Sequence, residues 1–436
     1  MPRTRPPAQD FLAELPDGTV KQRNPFSGTE VWTVPGRGHR PLGIARPAAQ
    51  SLDPDDDGRH CAFCSARLLE TPPEKSRVVR TEDGEHAILR DVPAEALFDT
   101  VPEFRRVPNL FEILSYEYWR LNHGFVPAPG VADRRAAYLA TEAGRAHVLA
   151  VVGNKLRAAG RSAEEVEAMP EEERIEAASG FFGGGHDVII GRRHFVDGAQ
   201  DDHALAGSGT LSPEEHRRFI ALTVDSMRDL YAANPHARYV SVFQNWLKPA
   251  GASFDHLHKQ LVAIDEVGVQ NEAAIARVRR NPDAFVEDAL GYAAEQGLMI
   301  ARNEHAAMFA GFGHRYPTVE IHSLSPTCEP WEQTDAERDA MADLIHAAHA
   351  ATGADVPSNE EWHTRPAGVD EPLPWRVCLK WRVSTLAGFE GATKIYLNTV
   401  SPGSVRERVV TRLQELQATG AIADGIRIDD GGHGAV

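Results

Sequence analysis

The sequence predicts a mixed fold of the α+β or α/β class in preference to an all-β sandwich. Three observations carry this reading. Short β-branched and aromatic runs recur along the chain, helical patterns lie between them, and the connections from run to run are long. No short-period repeat is present. At 436 residues the chain can bury a full core, and its length suits two or three units or two halves sharing one sheet.

Residues 1–20 are rich in proline and charge with little apolar periodicity, which predicts a loose tail and order from Lys21 onward. Glu30 to Val34 reads as a short strand between the turns Ser27-Gly28 and Pro35-Gly36. Further strands are expected at 87–89, 106–108, 187–190, 239–243 and 260–263. The clearest helix runs from Pro213 to Ala233. Ser212 caps it, proline opens its first turn, and Glu214 and Glu215 sit at the positive end of its dipole. Asp133 to Ser179 is rich in Ala, Glu and Arg and reads as a helical insertion broken at Gly160 and Pro170. In the second half, a turn and strand are expected over 312–321, a helix over 335–351, strands over 375–383 and 394–397, and a closing helix over 405–418.

The 46 Lys and Arg against 63 Asp and Glu leave a net charge of −17. Nonspecific nucleic-acid binding needs a basic surface to neutralise phosphates, so this balance argues against that class. No apolar run resembles a signal core and none reaches 18 residues, which predicts a cytoplasmic protein without a membrane span. Four cysteines cannot build a disulfide framework. Cys61 and Cys64 form a CxxC, a spacing that points to metal or redox chemistry in a reducing compartment. Cys328 and Cys378 are isolated and read as buried or inert.

The most informative stretch runs from Val242 to Gln260. A strand ends, a loop with Pro249, Gly251 and Ser253 follows, and a second strand begins with His256, His258 and Gln260 at alternate positions. Residues two apart on a strand share a face at about 7 Å per step. Two imidazoles and an amide facing one way make a poor core and a good site. A neutral imidazole is a competent nucleophile toward phosphorus, and an amide N–H can hold charge growing on the phosphoryl oxygens. His258 and Gln260 fit those roles, and the loop can offer main-chain N–H groups to phosphate.

Gly251-Ala252-Ser253-Phe254-Asp255-His256-Leu257-His258-Lys259-Gln260 resembles the signature G-x-S-x-x-H-P-H-x-Q of the galactose-1-phosphate uridylyltransferase branch of the histidine-triad superfamily, with Leu257 in place of proline. The resemblance implies that His258 takes the nucleoside monophosphate, that Gln260 binds its phosphate, and that Ser253, Gly251 and Asn245 contact substrate. Arg23 to Trp32 followed by Pro35 to Pro41 is similar to the family's opening and sets Arg37 and Arg40 on its substrate-binding arginines. A guanidinium cluster suits a doubly charged phosphate acceptor. Arg106 to Phe111 resembles the nucleotide-binding strand, which places Asn109 at the nucleotide. Gly388 to Asn398 resembles the segment whose Phe389 and Glu390 would contact the sugar phosphate. The matched blocks run from about residue 21 to 415. The stretch between Gly124 and Gly180 is longer than the family pattern, and nothing matches its second, iron-type site.

Family members with zinc add two histidines to a CxxC. The resemblance implies a structural Zn²⁺ on Cys61, Cys64, His256 and His186, the last from Gly185-His186-Asp187-Val188-Ile189-Ile190. His60, His86 and a metal-free CxxC are the competing readings.

The expected architecture is therefore α+β: two histidine-triad-like halves, 21–270 with a helical insertion at about 125–180 and 271–436, sharing an extended, mainly antiparallel sheet flanked by helices. The expected activity is ping-pong transfer of a nucleoside monophosphate from a nucleoside-diphosphate sugar to a phosphorylated acceptor such as a sugar 1-phosphate. A phosphorylase using inorganic phosphate is the nearest alternative. A nucleotide hydrolase fits less well, because Gln260 stands where hydrolytic relatives carry histidine, and a zinc-stabilised adaptor fits least. A homodimer is implied by the resemblance alone.

Overall fold

The computed structural model describes residues 11–35, 42–43 and 47–431. In chain order its strands are β1 (Leu12–Glu14), β2 (Val20–Arg23), β3 (Glu30–Thr33), β4 (Ser76–Arg80), β5 (His86–Arg90), β6 (Pro102–Pro108), β7 (His186–Gly191), β8 (Tyr239–Trp246) and β9 (His258–Ile264). They continue with β10 (Met299–Arg302), β11 (Ala306–Gly311), β12 (Thr318–Ser323), β13 (Ser358–His363), β14 (Arg376–Trp381), β15 (Ile395–Asn398) and β16 (Arg427–Ile428).

Twelve strands form one sheet in the order β16-β10-β11-β12-β14-β13-β8-β9-β7-β6-β4-β5. Every pairing within it is antiparallel. The fold is thus α+β with a large, mainly antiparallel sheet. Strands that precede residue 265 occupy one side, strands that follow 298 occupy the other, and β8 meets β13 at the seam. A small sheet, β1-β2-β3-β15, contains the parallel pair β3 and β15.

Residues 11–20, expected to be part of a loose tail, are instead structured. Residues 12–14 and 20–23 pair as a hairpin, and Phe11 is buried against Tyr292 and Phe312. The apolar surface of that single ring outweighs the polar composition around it.

The long helices Pro213–Ala233 and Asp335–Thr352 pack against each other behind the seam. Each opens with a capping box, Ser212 with Glu215 and Thr334 with Glu337. Beneath them the fully buried Lys259 of β9 is ion-paired with the fully buried Glu360 of β13, and Glu360 also accepts from His349 Nε2 at 2.7 Å. This pair ties one side of the sheet to the other. The segment after His123 folds into short helices, chief among them Pro129–Ala140 and Glu142–Ala158, around a separate core of Tyr138, Val148, Val151, Val152, Phe181 and Phe182. His147 reaches from it to the carbonyl of Thr71 at 2.8 Å, so the helices brace the chain that follows the CxxC.

Candidate active site

Strand β9 starts at His258, and its register sets His258 opposite Ile190 and Gln260 opposite Val188 of β7. On the other side Gln260 faces Phe243 of β8. The sequence expectation put His256 on the same strand face. Instead, His256 precedes the strand in an irregular turn held by the Gly191 N–H donating to the Leu257 carbonyl at 2.9 Å. Its ring turns toward the cysteines.

His258 is buried, and its Nδ1–H donates to the backbone carbonyl of His256 at 2.8 Å. That bond assigns the tautomer and leaves the Nε2 lone pair as the nucleophilic position. Burial pushes its pKa below the ordinary imidazole value, against the opposing pull of the backbone bond, so the ring is neutral at pH 7. Phe63, between the two cysteines, lies 5.4 Å from the His258 ring and 4.5 Å from Phe254. The loop that carries the two cysteines therefore also walls the His258 ring.

Cys61, Cys64, His194 and His256 bring four ligand atoms within 4.8 Å of one another. The two sulfurs are 3.7 Å apart, and both Cys61 Sγ to His256 Nδ1 and Cys64 Sγ to His194 Nδ1 are 3.5 Å. Tetrahedral Zn²⁺ with thiolate bonds of about 2.3 Å and imidazole bonds of about 2.0 Å gives edges close to these lengths. His256 Nε2–H donates to the Gly191 carbonyl at 2.7 Å, which leaves Nδ1 as the coordinating atom. The cluster can hold a metal ion. Hydrogen bonding between the two thiols pulls that of Cys64 far down and pushes that of Cys61 up.

His186 does not join this cluster, a correction to the expected ligand set. It sits at the start of β7 opposite Val262, on the far side of Gln260 from the cysteines, whereas His194 follows the end of that strand and folds back over them. His186 Nδ1 accepts from the Ile113 N–H at 3.2 Å, so its Nε2–H donates to Gln260 Oε1 at 3.0 Å. Asn109 Nδ2 donates to the same oxygen at 3.4 Å. With its oxygen occupied, the Gln260 side chain keeps its amide N–H groups for another acceptor.

Asn245 and Asn359 face each other across the seam. Asn359 Nδ2 donates to Asn245 Oδ1 at 2.6 Å and to the Ala250 carbonyl at 2.9 Å, which anchors the loop bearing Ser253. Gly251 adopts φ +92°, a left-handed conformation that favours glycine, and Ser253 is exposed beyond it. Phe389 and Glu390 lie on the segment that leads into β15. They open the helix Gly388–Thr393 beside the small sheet, Phe389 next to Trp32 and Glu390 accepting from the Ala387 N–H at 3.1 Å. Arg37 and Arg40 lie outside the described residues.

Sequence reasoning missed His194, Phe63 and Asn359. His194 stands eight positions past His186 and 130 past Cys64, with no periodic signal around it.

These features define a chain with the GalT-like fold. A crystal structure of an ADP-glucose phosphorylase from Arabidopsis thaliana with bound ADP-glucose matches with a TM-score of 0.55 at 19% identity, covering 90% of this chain and 98% of that one. A GalT-like protein from the same plant also matches with a TM-score of 0.55 at 19% identity, covering 89% and 98%. In sequence, an A. thaliana ADP-glucose phosphorylase is 26% identical over 275 residues, 59% of this chain and 72% of that protein. Residues 15–433 match the family described as a domain of unknown function, DUF4921, and the chain belongs to that family. Among the described residues no helix is long and apolar enough to cross a membrane.

Proposed function

We propose that this protein is a nucleotidyltransferase that works by ping-pong transfer through His258. The observation that carries the reading is the buried, neutral imidazole with Nδ1–H committed to a carbonyl, beside an amide whose oxygen is already occupied. His258 Nε2 attacks the α-phosphorus of a nucleoside-diphosphate sugar. The N–P bond forms as the P–O bond to the bridging oxygen breaks, and sugar 1-phosphate leaves. Gln260 N–H groups and main-chain N–H groups near Gly251 hold the charge that builds on the phosphoryl oxygens. A phosphate oxygen of the acceptor then attacks phosphorus, the N–P bond breaks, and the lone pair returns to Nε2.

Zn²⁺ held by Cys61, Cys64, His194 and His256 fits the donor set and would supply rigidity at the residue whose carbonyl orients His258. Asn109, Asn245, Ser253 and Gly251 are proposed substrate contacts. Arg37, Arg40, Phe389 and Glu390 keep that role only as proposals from the family resemblance, and a homodimer stands on the same footing.

The acceptor is a sugar phosphate or inorganic phosphate. The second is favoured by the similarity to a protein named ADP-glucose phosphorylase. Assaying a nucleotide-sugar panel with each acceptor separates them. Inorganic phosphate as acceptor gives nucleoside diphosphate, and a sugar 1-phosphate acceptor gives a new nucleotide sugar. Absence of both products with every donor overturns the reading.

A further inference from the structure

Asn245 and Asn359 meet at the seam, and the sheet face they share carries cationic side chains further on. The register sets Phe243 against Gln260, so Asn245 and His258, each two residues on from that pair, fall on the same sheet face. Asn245 then pairs with Asn359 and Asn359 with Lys380, so these four side chains share one face of the sheet in a single row. Three strand spacings separate the ends of the row, about 14 Å.

Two adjoining cavities lie on this face. The first, about 700 Å³, sets the polar side chains of Ser241, Asn245, Asn271 and Asn359, which suit sugar hydroxyls, among apolar ones such as Phe243, Ile264 and Trp362. The second, about 350 Å³, shares Gln270, Asn359, Glu361 and Arg382 with the first and adds Arg315, Lys380 and Tyr316. Lys380 is neutralised by Glu361. Among the described residues Arg382 has no such carboxylate: one Nη donates to Asn359 Oδ1 at 2.7 Å, its guanidinium lies 4.7 Å from the Tyr316 ring centroid, and its buried Nε has no hydrogen-bond partner there. Arg315 lies over the same ring at 5.2 Å and over Tyr396 at 5.6 Å, with no carboxylate partner among the described residues. Two guanidinium groups with no carboxylate partner among the described residues, stacked on one aromatic ring in the lining of a cavity, can receive an anion.

We infer that the group exchanged at His258 is a sugar phosphate carrying a second anionic substituent, phosphate or carboxylate, which Arg315 and Arg382 bind across the seam. The inference rests on the proposed transfer reaction for the placing of the first phosphate. A phosphoanhydride followed by a hexose ring spans the row, which puts the second charge on the ring's far side from the anomeric oxygen.

Calorimetric titration of the full chain tests this without turnover, so its failure is distinct from failure of the transfer reading. The probes are glucose 1-phosphate, glucose 1,6-bisphosphate and glucuronic acid 1-phosphate. The expected result is at least tenfold tighter binding of one or both doubly anionic probes, with the preferred one distinguishing phosphate from carboxylate. In Arg315→Gln/Arg382→Gln that advantage falls to less than twofold. If the double variant misfolds, Arg315→Gln alone, at an exposed position, shows a reduced advantage. Equal binding of all three probes by the wild type, or an advantage unchanged in the variants, overturns the proposal.

Discussion

The Nδ1–H of His258 donates to the carbonyl of His256, so the residue that faces the cysteine cluster also sets the tautomer of the proposed nucleophile two positions along the chain. The proposed metal ligation and the proposed nucleophilicity are thus linked through one peptide unit. The first consequence concerns the identity of the ligands. His194→Ala should lose bound zinc, measured by elemental analysis of the purified protein, and His186→Ala should retain it. Zinc retained in the first variant and lost in the second would restore the ligand set expected from the motif.

His186 has its own role. Its Nε2–H and the Asn109 amide hold the Gln260 oxygen, so His186→Ala should slow turnover by about ten- to a hundredfold through misplacement of that amide, with metal content unchanged. Gln260→Ala removes the donor itself and should cost about a hundredfold or more in kcat. Steady-state kinetics on both variants check the order. Equal or smaller loss in Gln260→Ala contradicts it.

The pair Lys259 and Glu360 makes a stability prediction. Both side chains are fully buried, so Glu360→Gln leaves an ammonium in the core with an amide in place of its counter-charge. Breaking a buried pair on one side costs about 3–5 kcal/mol. Denaturant unfolding should show it as a lower midpoint with little change in slope. A midpoint within error of wild type would mean that the pair is dispensable.

Stability should also depend on pH below the ordinary imidazole range. Burial is the largest cause of the lowered pKa values of His147, His186, His258, His322 and His346. A histidine with a depressed folded pKa binds its proton more readily when unfolded. As pH falls through the unfolded value of about 6.5, the unfolded state gains protons first and stability drops. Each such ring steepens the slope by up to about 1.4 kcal/mol per pH unit between its two pKa values. Unfolding midpoints that rise from pH 5 to 7 agree with this sign, and midpoints that fall over that range contradict it.

Much of this architecture was legible in the sequence where one physical signal dominated. The helix Pro213–Ala233 carries its cap, its proline and its acidic first turn in the residues themselves, and its bounds are those expected. Asp187 to Ile190 reads as a strand from its β-branched run and lies in β7. Other elements lacked such a signal. Ala306–Gly311 is rich in alanine, with weak β propensity, and becomes a strand because both neighbours pair with it. Ser358–His363 is a polar run, and within the sheet Glu360 is held by Lys259 and Asn359 by Asn245. The site divides the same way. His258 and Gln260 were visible from their spacing. His194 was not, because chain reversal after β7 brings it to the cysteines.

The central claim is that His258 carries the nucleotide. Incubating the protein with a labelled nucleoside-diphosphate sugar in the absence of acceptor, quenching at alkaline pH and mapping the label by mass spectrometry tests it directly. The account predicts an acid-labile nucleoside monophosphate on His258 in the wild type and none in His258→Ala. Turnover that persists in His258→Ala, or label on another residue, would contradict it.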